Sequence, residues 1–290
     1  MKKIKIVIPV FNDWQSLSKL LENINNEISK LEVEISVIIV NDASTESRPE
    51  INLNLNNIKS IQVINMKENR GHARCIAAGL KYIFENEEFD HVIAMDGDGE
   101  DRPEEIKQFI DNIKYHPDKA IVGERVKRSE NIFFKFCYAV HKLLTFTFTG
   151  QSIKFGNYTC LPKFIVEKMV NEKATWCSFS GSLAKVVKDR ASVPSERGSR
   201  YFGPSKMSFM NLVKHSLSII AVFRINVLIR SIFFLLIYLF LIAQNISLIT
   251  LIPISIIIVM IIAVFSTSNR ENISEFKNSL TNINKVENLK

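Results

Sequence analysis

His91-Val92-Ile93-Ala94-Met95-Asp96-Gly97-Asp98-Gly99-Glu100-Asp101 is an apolar run that empties into four acidic residues interrupted by two glycines. Such a short run, bounded by turn residues, reads as a buried strand. Carboxylates gathered at its end are hard oxygen donors suited to Mg²⁺ or Mn²⁺, and a divalent ion held there would neutralise a diphosphate. An EF-hand is excluded, because that loop needs Gly where Asp101 stands and Glu where Lys107 stands. Acids separated by single residues are common in solvated loops, so the surrounding segments must decide.

On either side, short β-branched runs alternate with helical patterns. IKIVIPV (4–10) precedes a helix near Trp14 to Leu31, then ISVIIVND (35–42) and INLNLNNIKSIQVINM (51–66). A helix from about Gly71 to Asn86 leads to HVIAMD, a helix from about Pro103 to Tyr115 follows, and KAIVGERV (119–126) comes next. The alternation predicts an α/β fold with a mostly parallel sheet covered by helices on both faces. Ligands of such open sheets sit at the carboxyl ends of the strands. The runs end in Pro9-Val10-Phe11-Asn12-Asp13, Asn41-Asp42, Asn69-Arg70-Gly71-His72, Asp96-Gly97-Asp98 and Gly123-Glu124-Arg125, a consistent polar set in which chemistry is to be sought.

Downstream, Glu196-Arg197-Gly198-Ser199-Arg200-Tyr201-Phe202-Gly203-Pro204-Ser205-Lys206 gathers three cations and two glycines, a plausible phosphate clamp. A polybasic membrane-surface patch fits the same residues equally well. Two apolar stretches follow, 227–243 and 248–266, joined by the uncharged Gln244-Asn245-Ile246-Ser247. Each approaches the about 20 residues that cross a bilayer core of about 30 Å. Lys214 and Arg224 before the first, Arg230 near its start, and Arg270 and Lys277 after the second place both ends in the cytoplasm. Residues 206–226 carry apolar positions at helical spacing and read as an interfacial amphipathic helix. The expected organisation is thus a cytoplasmic domain (1–205), the interfacial helix (206–226), two transmembrane helices (227–266) and a polar cytoplasmic tail (267–290), the last expected to be mobile.

Composition agrees. With 47% hydrophobic residues, 10 Gly and 8 Pro in 290, the chain is neither disordered nor collagen-like. Eight basic against three acidic residues from 206 onward supply +5 of the net +7, so the basic excess brackets membrane segments and does not indicate nucleic acid. Cys75, Cys137, Cys160 and Cys177 have no metal-knuckle or disulfide spacing. Lys2-Lys3 run straight into the first strand without a signal-peptide core.

VIPVFND, VNDAST, NRGHARCIAAGL, DGDGEDRPEE and RGSRYFGPSK together resemble the family 2 glycosyltransferases of the GT-A fold, of the polyprenyl-phosphate type that includes bactoprenol glucosyltransferase and dolichyl-phosphate mannose synthase. The resemblance implies a hexosyltransferase of the cytoplasmic membrane that moves a sugar, with inversion, from a nucleotide diphosphate sugar, UDP first and GDP second, to polyprenyl phosphate. By the same resemblance Pro9, Phe11 and Asp13 line the nucleotide pocket, Asp42 binds base or ribose, and His72 is the histidine to test as a donor contact. Asp96, Asp98 and Glu100 would hold the divalent metal, Mg²⁺ or Mn²⁺, and Arg125, Arg200 and Lys206 would bind phosphate. It also allows a homo-oligomer such as a tetramer.

Departures from the pattern bear on the chemistry. Glu100 stands where Gln is common, and Asn157 where related enzymes carry the Asp proposed to be catalytic. A phosphate monoester, with a second pKa of about 6, is largely dianionic at neutral pH and attacks without a strong base. A hydroxyl acceptor would need one. Asn157 therefore suits a lipid phosphate, with Asp98 and Asp101 as fallback bases and Arg125 beside the reacting phosphates. Two rivals share every donor-site residue: a transferase adding sugar to a lipid-linked or surface glycan, and a catalytically weakened nucleotide-sugar-binding homologue.

Overall fold

A computed structural model of the protein describes residues 1–49, 54–127, 132–204 and 208–290. Ser205 and Lys206 of the basic cluster lie outside them. In chain order the elements are β1 (Lys2–Val10), α1 (Trp14–Ile28), β2 (Val33–Asn41), β3 (Ser60–Met66), α2 (His72–Asn86), β4 (His91–Ala94), α3 (Ile106–Tyr115), β5 (Ala120–Lys127) and α4 (Ile132–Thr149). Then come β6 (Phe155–Pro162), α5 (Lys163–Asn171), α6 (Phe179–Val186), β7 (Arg190–Glu196), α7 (Phe209–Ala221), α8 (Arg224–Ile242), α9 (Leu248–Ser268), α10 (Ile273–Lys277) and β8 (Ile283–Asn288).

One sheet of eight strands runs β7-β5-β6-β4-β1-β2-β3-β8. The strands β3, β2, β1 and β4 are mutually parallel, with α1 making the crossover from β1 to β2 and α2 that from β3 to β4. The antiparallel members are β6, wedged between β4 and β5, and β8 at the edge of β3. Alternation within β1 divides the core: Ile4, Ile6 and Ile8 pack with Leu17, Leu20, Leu21 and Ile24 of α1 and Phe109 of α3, while Val7 packs with Ile76, Leu80 and Ile83 of α2. The i, i+3, i+4, i+7 spacing of the α1 leucines and Ile24 is what makes that segment a helix with one buried face. Gly79 of α2 sits against Val7 and Val40, where a Cβ would come within 2.5 Å of a methyl group, so α2 lies directly on the sheet.

The two apolar C-terminal helices are long enough to span a bilayer and only 17% and 6% of their apolar windows are buried. Phe240, Leu241, Leu248 and Ile249 are each more than 70% exposed. A helical pair inside a water-soluble core would show the opposite. Tyr238 donates to the Thr250 carbonyl across the turn, and Ser247 caps α9 with Thr250 in a capping box. Upstream, α7 begins at Phe209, capped by Ser208, and exposes Phe209 and Met210. Helix α4 also exposes Leu143 and Phe146, and Arg230 of α8 reaches back to the Thr147 carbonyl at the end of α4, where a helix terminus favours a cation.

The expected mobile tail is ordered, and this corrects the sequence reading. After α9 the chain returns to the sheet and pairs β8 antiparallel with β3. Phe276 is fully buried and stacks on Trp176 at 5.3 Å, and Glu271, its side chain 1% exposed, pairs with Arg224 at 2.6 Å and Lys173 at 3.7 Å. The polar composition of 267–290 hides this, because a single aromatic anchor and an edge strand are enough to fix it.

Candidate active site

The strand-end residues converge on one cleft. Asp96 follows β4, with Gly97 packed so closely under β1 that a Cβ there would lie 3.1 Å from the Pro9 carbonyl. This close approach ties the acidic segment to the first strand end. Gly99 has φ +90°, a conformation that glycine adopts without strain, and a Cβ on it would strike the Tyr201 ring at 2.5 Å. Asn12 and Ala43, just beyond β1 and β2, also have positive φ, 50° and 56°, and such non-glycine strain gathers at functional sites.

Each acid has a defined partner. Asp96 Oδ1 lies 3.0 Å from His72 Nε2 and accepts from Asn157 Nδ2 at 3.4 Å. Burial would raise its pKa, but the His72 charge and hydrogen bond, with Arg125 and Asn157, outweigh this and hold it well below the usual carboxylate range. His72 is shifted upward in return: desolvation opposes its charge, and Asp96 overcomes that. Asp98 accepts from the Glu100 amide at 3.0 Å and from Arg200 Nη1 at 2.6 Å; burial, then Asp96 and Glu100, push its pKa up to about 6. Asp101 is buried, accepts from the Asp96 amide at 3.0 Å and lies 3.7 Å from Arg125, and burial followed by the Asp96 charge pushes it up to about 8. Glu100 pairs with Arg197.

Asp13 caps α1 by position but makes no capping bond; its Oδ2 accepts from Arg200 Nη2 at 2.5 Å. Asp42 is buried and accepts from the amides of Arg70 and Gly71, both at 2.9 Å, so its carboxylate fixes the loop that enters α2. Phe11 is 41% exposed at the cleft mouth, whereas Pro9 is buried within β1. The structure therefore brings together Asp13, Asp96, Asp98, Glu100, Asp101, Arg125, Asn157, His72 and Arg200, with Asp42 one strand away. It says nothing of Lys206.

The fit to a divalent cation is one of charge and donor chemistry, not of a finished cage. Among the described residues no three acidic, His or Cys side chains converge as a chelate. Asp96, Asp98 and Glu100 instead hold His72, Arg200 and Arg197. Burial first, and then the neighbouring Asp96 and Glu100 charges, raise the Asp98 pKa, and a hard cation beside these oxygen donors would offset that like charge.

Several participants escape local sequence reading. Tyr201 and Arg197 bind the acidic segment from about a hundred positions along the chain, and Asn23 of α1 donates to the Tyr201 hydroxyl. Asn41 donates to Asn65, which donates to Glu287 of β8, and a cleft of about 390 Å³ beside them is lined by Ser44, Lys67, Asn284 and Lys285. His215 of α7 is exposed, and the protein around it, by desolvation and then by like charges from His72 and His141, pushes its pKa down to about 4. None has a spacing signal, since each belongs to the site only through folding.

Comparison with known proteins agrees with this geometry. The undecaprenyl-phosphate 4-deoxy-4-formamido-L-arabinose transferases of Salmonella choleraesuis and Salmonella typhimurium are 28% identical over 223 residues, covering 73% of this chain and 65% of theirs. The chain thus spans just under two thirds of the length of these relatives. Among solved structures, glucosyl-3-phosphoglycerate synthase from Mycobacterium tuberculosis with Mn²⁺, UDP and its product aligns at TM-score 0.53 and 13% identity, covering 78% of this chain and 80% of that one. S. aureus TarS 1–349 with UDP-GlcNAc aligns at TM-score 0.51 and 15% identity, covering 79% and 69%. The fold is therefore of the GT-A kind. The profile described as Glycosyl transferase family 2 matches residues 5–165, from the first strand through the acidic segment and β6, and the chain belongs to that family.

Proposed function

We propose that this glycosyltransferase moves a sugar from a nucleotide diphosphate sugar, with UDP as the nucleotide, to polyprenyl phosphate, inverting the anomeric carbon. The observation that carries the reading is the joining of two features in one chain: an acid and cation cluster at the sheet's strand ends, and an exposed apolar helical hairpin whose flanking helices pack on the same domain. The Salmonella relatives, named for undecaprenyl phosphate, and the Mn²⁺- and UDP-bound neighbour support acceptor and donor respectively.

In this reading Pro9, Phe11, Asp13 and Asp42 shape the nucleotide pocket. Asp96 and Asp98 hold the Mg²⁺ or Mn²⁺, with Glu100 beside them; when bound, that ion supplies charge neutralisation at the departing diphosphate. His72 and Asn157 fix the orientation of Asp96 through their hydrogen bonds to Oδ1. Arg125 and Arg200 with Lys206 orient phosphate oxygens, and positioning and electrostatic preorganisation supply most of the acceleration. The lipid phosphate attacks as a dianion, so Asn157 need not accept a proton, and Asp101 remains the buried acid nearest Arg125.

The chain leaves the catalytic domain for α8 and comes back from α9 into β8, and Arg224 and Glu271 at the two ends are ion-paired at 2.6 Å. This pairing supports a hairpin with both ends on one face of the bilayer, and the flanking basic residues support a cytoplasmic face for them. Full-length protein in vesicles containing undecaprenyl phosphate, supplied with labelled UDP-hexoses or a UDP-pentose and Mn²⁺, should yield label in the lipid extract. Label only in a polymeric glycan would favour the glycan acceptor, and none with any donor would favour the binding homologue. Mass in detergent reads out a tetramer or other homo-oligomer.

A further inference from the structure

The basic segment meets the acidic one as a fitted partner. Gly198 donates to the Glu100 carbonyl at 2.9 Å and Tyr201 to the Asp98 carbonyl at 3.0 Å, so residues 198–201 lie along 98–100 by main-chain bonds. The Tyr201 ring covers Gly99, and its hydroxyl accepts from Asn23 Nδ2 of α1 at 2.9 Å. Held by that latch, Arg200 bridges Asp98 at 2.6 Å and Asp13 at 2.5 Å, all three side chains at most 20% exposed. Both Asp98 oxygens are then engaged, one by Arg200 and one by the Glu100 amide. The remaining Arg200 donor, Nε, is buried and has no acceptor among the described residues.

We infer that Arg200, latched by Tyr201 and Asn23, is an internal cation that occupies the Asp13–Asp98 pair in the donor-free enzyme and is exchanged for metal and diphosphate together. This rests on the donor reading above. The Asp98 oxygens keep lone pairs beyond these two bonds, but the guanidinium charge lodged between Asp13 and Asp98 repels a second cation, so a free divalent ion binds well only once Arg200 is displaced. A diphosphate changes the balance, because it offers the guanidinium a bidentate anionic partner in place of the two carboxylates and supplies the acceptor that Nε lacks. Metal and nucleotide therefore bind cooperatively, and Arg200 is what couples them. The arrangement also spares the empty enzyme two adjacent unpaired carboxylates.

The test uses full-length protein in detergent, with free Mn²⁺ read by electron paramagnetic resonance with and without UDP, and circular dichroism to confirm folding. Wild type should bind Mn²⁺ weakly alone and more tightly with UDP, by a factor in the usual coupling range of roughly 5–150. Arg200→Gln should tighten Mn²⁺ binding alone by about tenfold and reduce the coupling towards unity. Tyr201→Phe, which keeps the ring over Gly99 and loses only the bond to Asn23, should shift both in the same direction by less. Unchanged or weaker Mn²⁺ binding in folded Arg200→Gln, with wild type still responding to UDP, would overturn the inference and leave the donor reading standing. Absence of any UDP response in wild type would overturn both.

Discussion

Asp98 and Asn157 are the residues on which the proposed chemistry turns. Asp98→Ala removes a carboxylate from the proposed cation site and should lower turnover by about 10²–10³, as loss of a preorganised electrostatic group does, with the fold retained. Sugar transfer into lipid, followed with labelled donor, measures it, and undiminished transfer would remove Asp98 from the site. Asn157→Asp asks the opposite question. The amide donates to Asp96 at 3.4 Å, and a carboxylate in its place would add like charge beside Asp96 and the incoming phosphate. Transfer to lipid phosphate should slow by roughly tenfold; faster transfer would mean that a base was missing. The strand-end motifs that supply these residues were legible because each is contiguous. The pairing of each acid with its cation was not, since Arg200 reaches Asp13 across 187 positions and no pattern in either neighbourhood records the other.

Elements carry stability consequences of their own. His91 opens β4, is 4% exposed, and burial pushes its pKa down from 6.5 to about 4. The unfolded chain therefore binds a proton between pH 6.5 and 4 that the native state refuses, so stability falls as pH drops through that window, by up to about 3 kcal/mol for this group. Denaturant unfolding of wild type and His91→Leu at pH 7 and pH 4.5 checks this, and the leucine variant should lose less stability on acidification. At the other end, Phe276 binds the returning segment to Trp176. Phe276→Ala should cost about 3–5 kcal/mol, as emptying a buried aromatic site does. A change below 1 kcal/mol would show that the tail adheres by β8 alone. Helical spacing announced α1 and α2, but five residues of α10 around one phenylalanine carry no periodicity to detect.

At the scale of the whole molecule, an apolar helical hairpin interrupts the sheet domain, whose edge strand β8 follows it in the chain. Simple truncation before α8 would strip the sheet's edge strand as well as the proposed membrane anchor, and so would confuse two losses. Replacing 227–266 with a short Gly/Ser linker separates them, because the 2.6 Å Arg224–Glu271 pair shows that the ends already meet. That variant should leave the membrane fraction, bind UDP as wild type does, and turn over bilayer-embedded undecaprenyl phosphate at least on the order of tenfold more slowly, for want of surface concentration. Equal turnover would dismiss the hairpin's part in acceptor access. By itself the sequence determined the α/β class, the strand ends that carry the polar motifs, and the two apolar stretches, because side-chain period and local composition are properties of neighbouring residues. Only the tertiary structure decided that the tail completes the sheet and that Arg200 occupies the acids, because edge pairing and ion pairing join residues over a hundred positions apart and depend on where the fold delivers them.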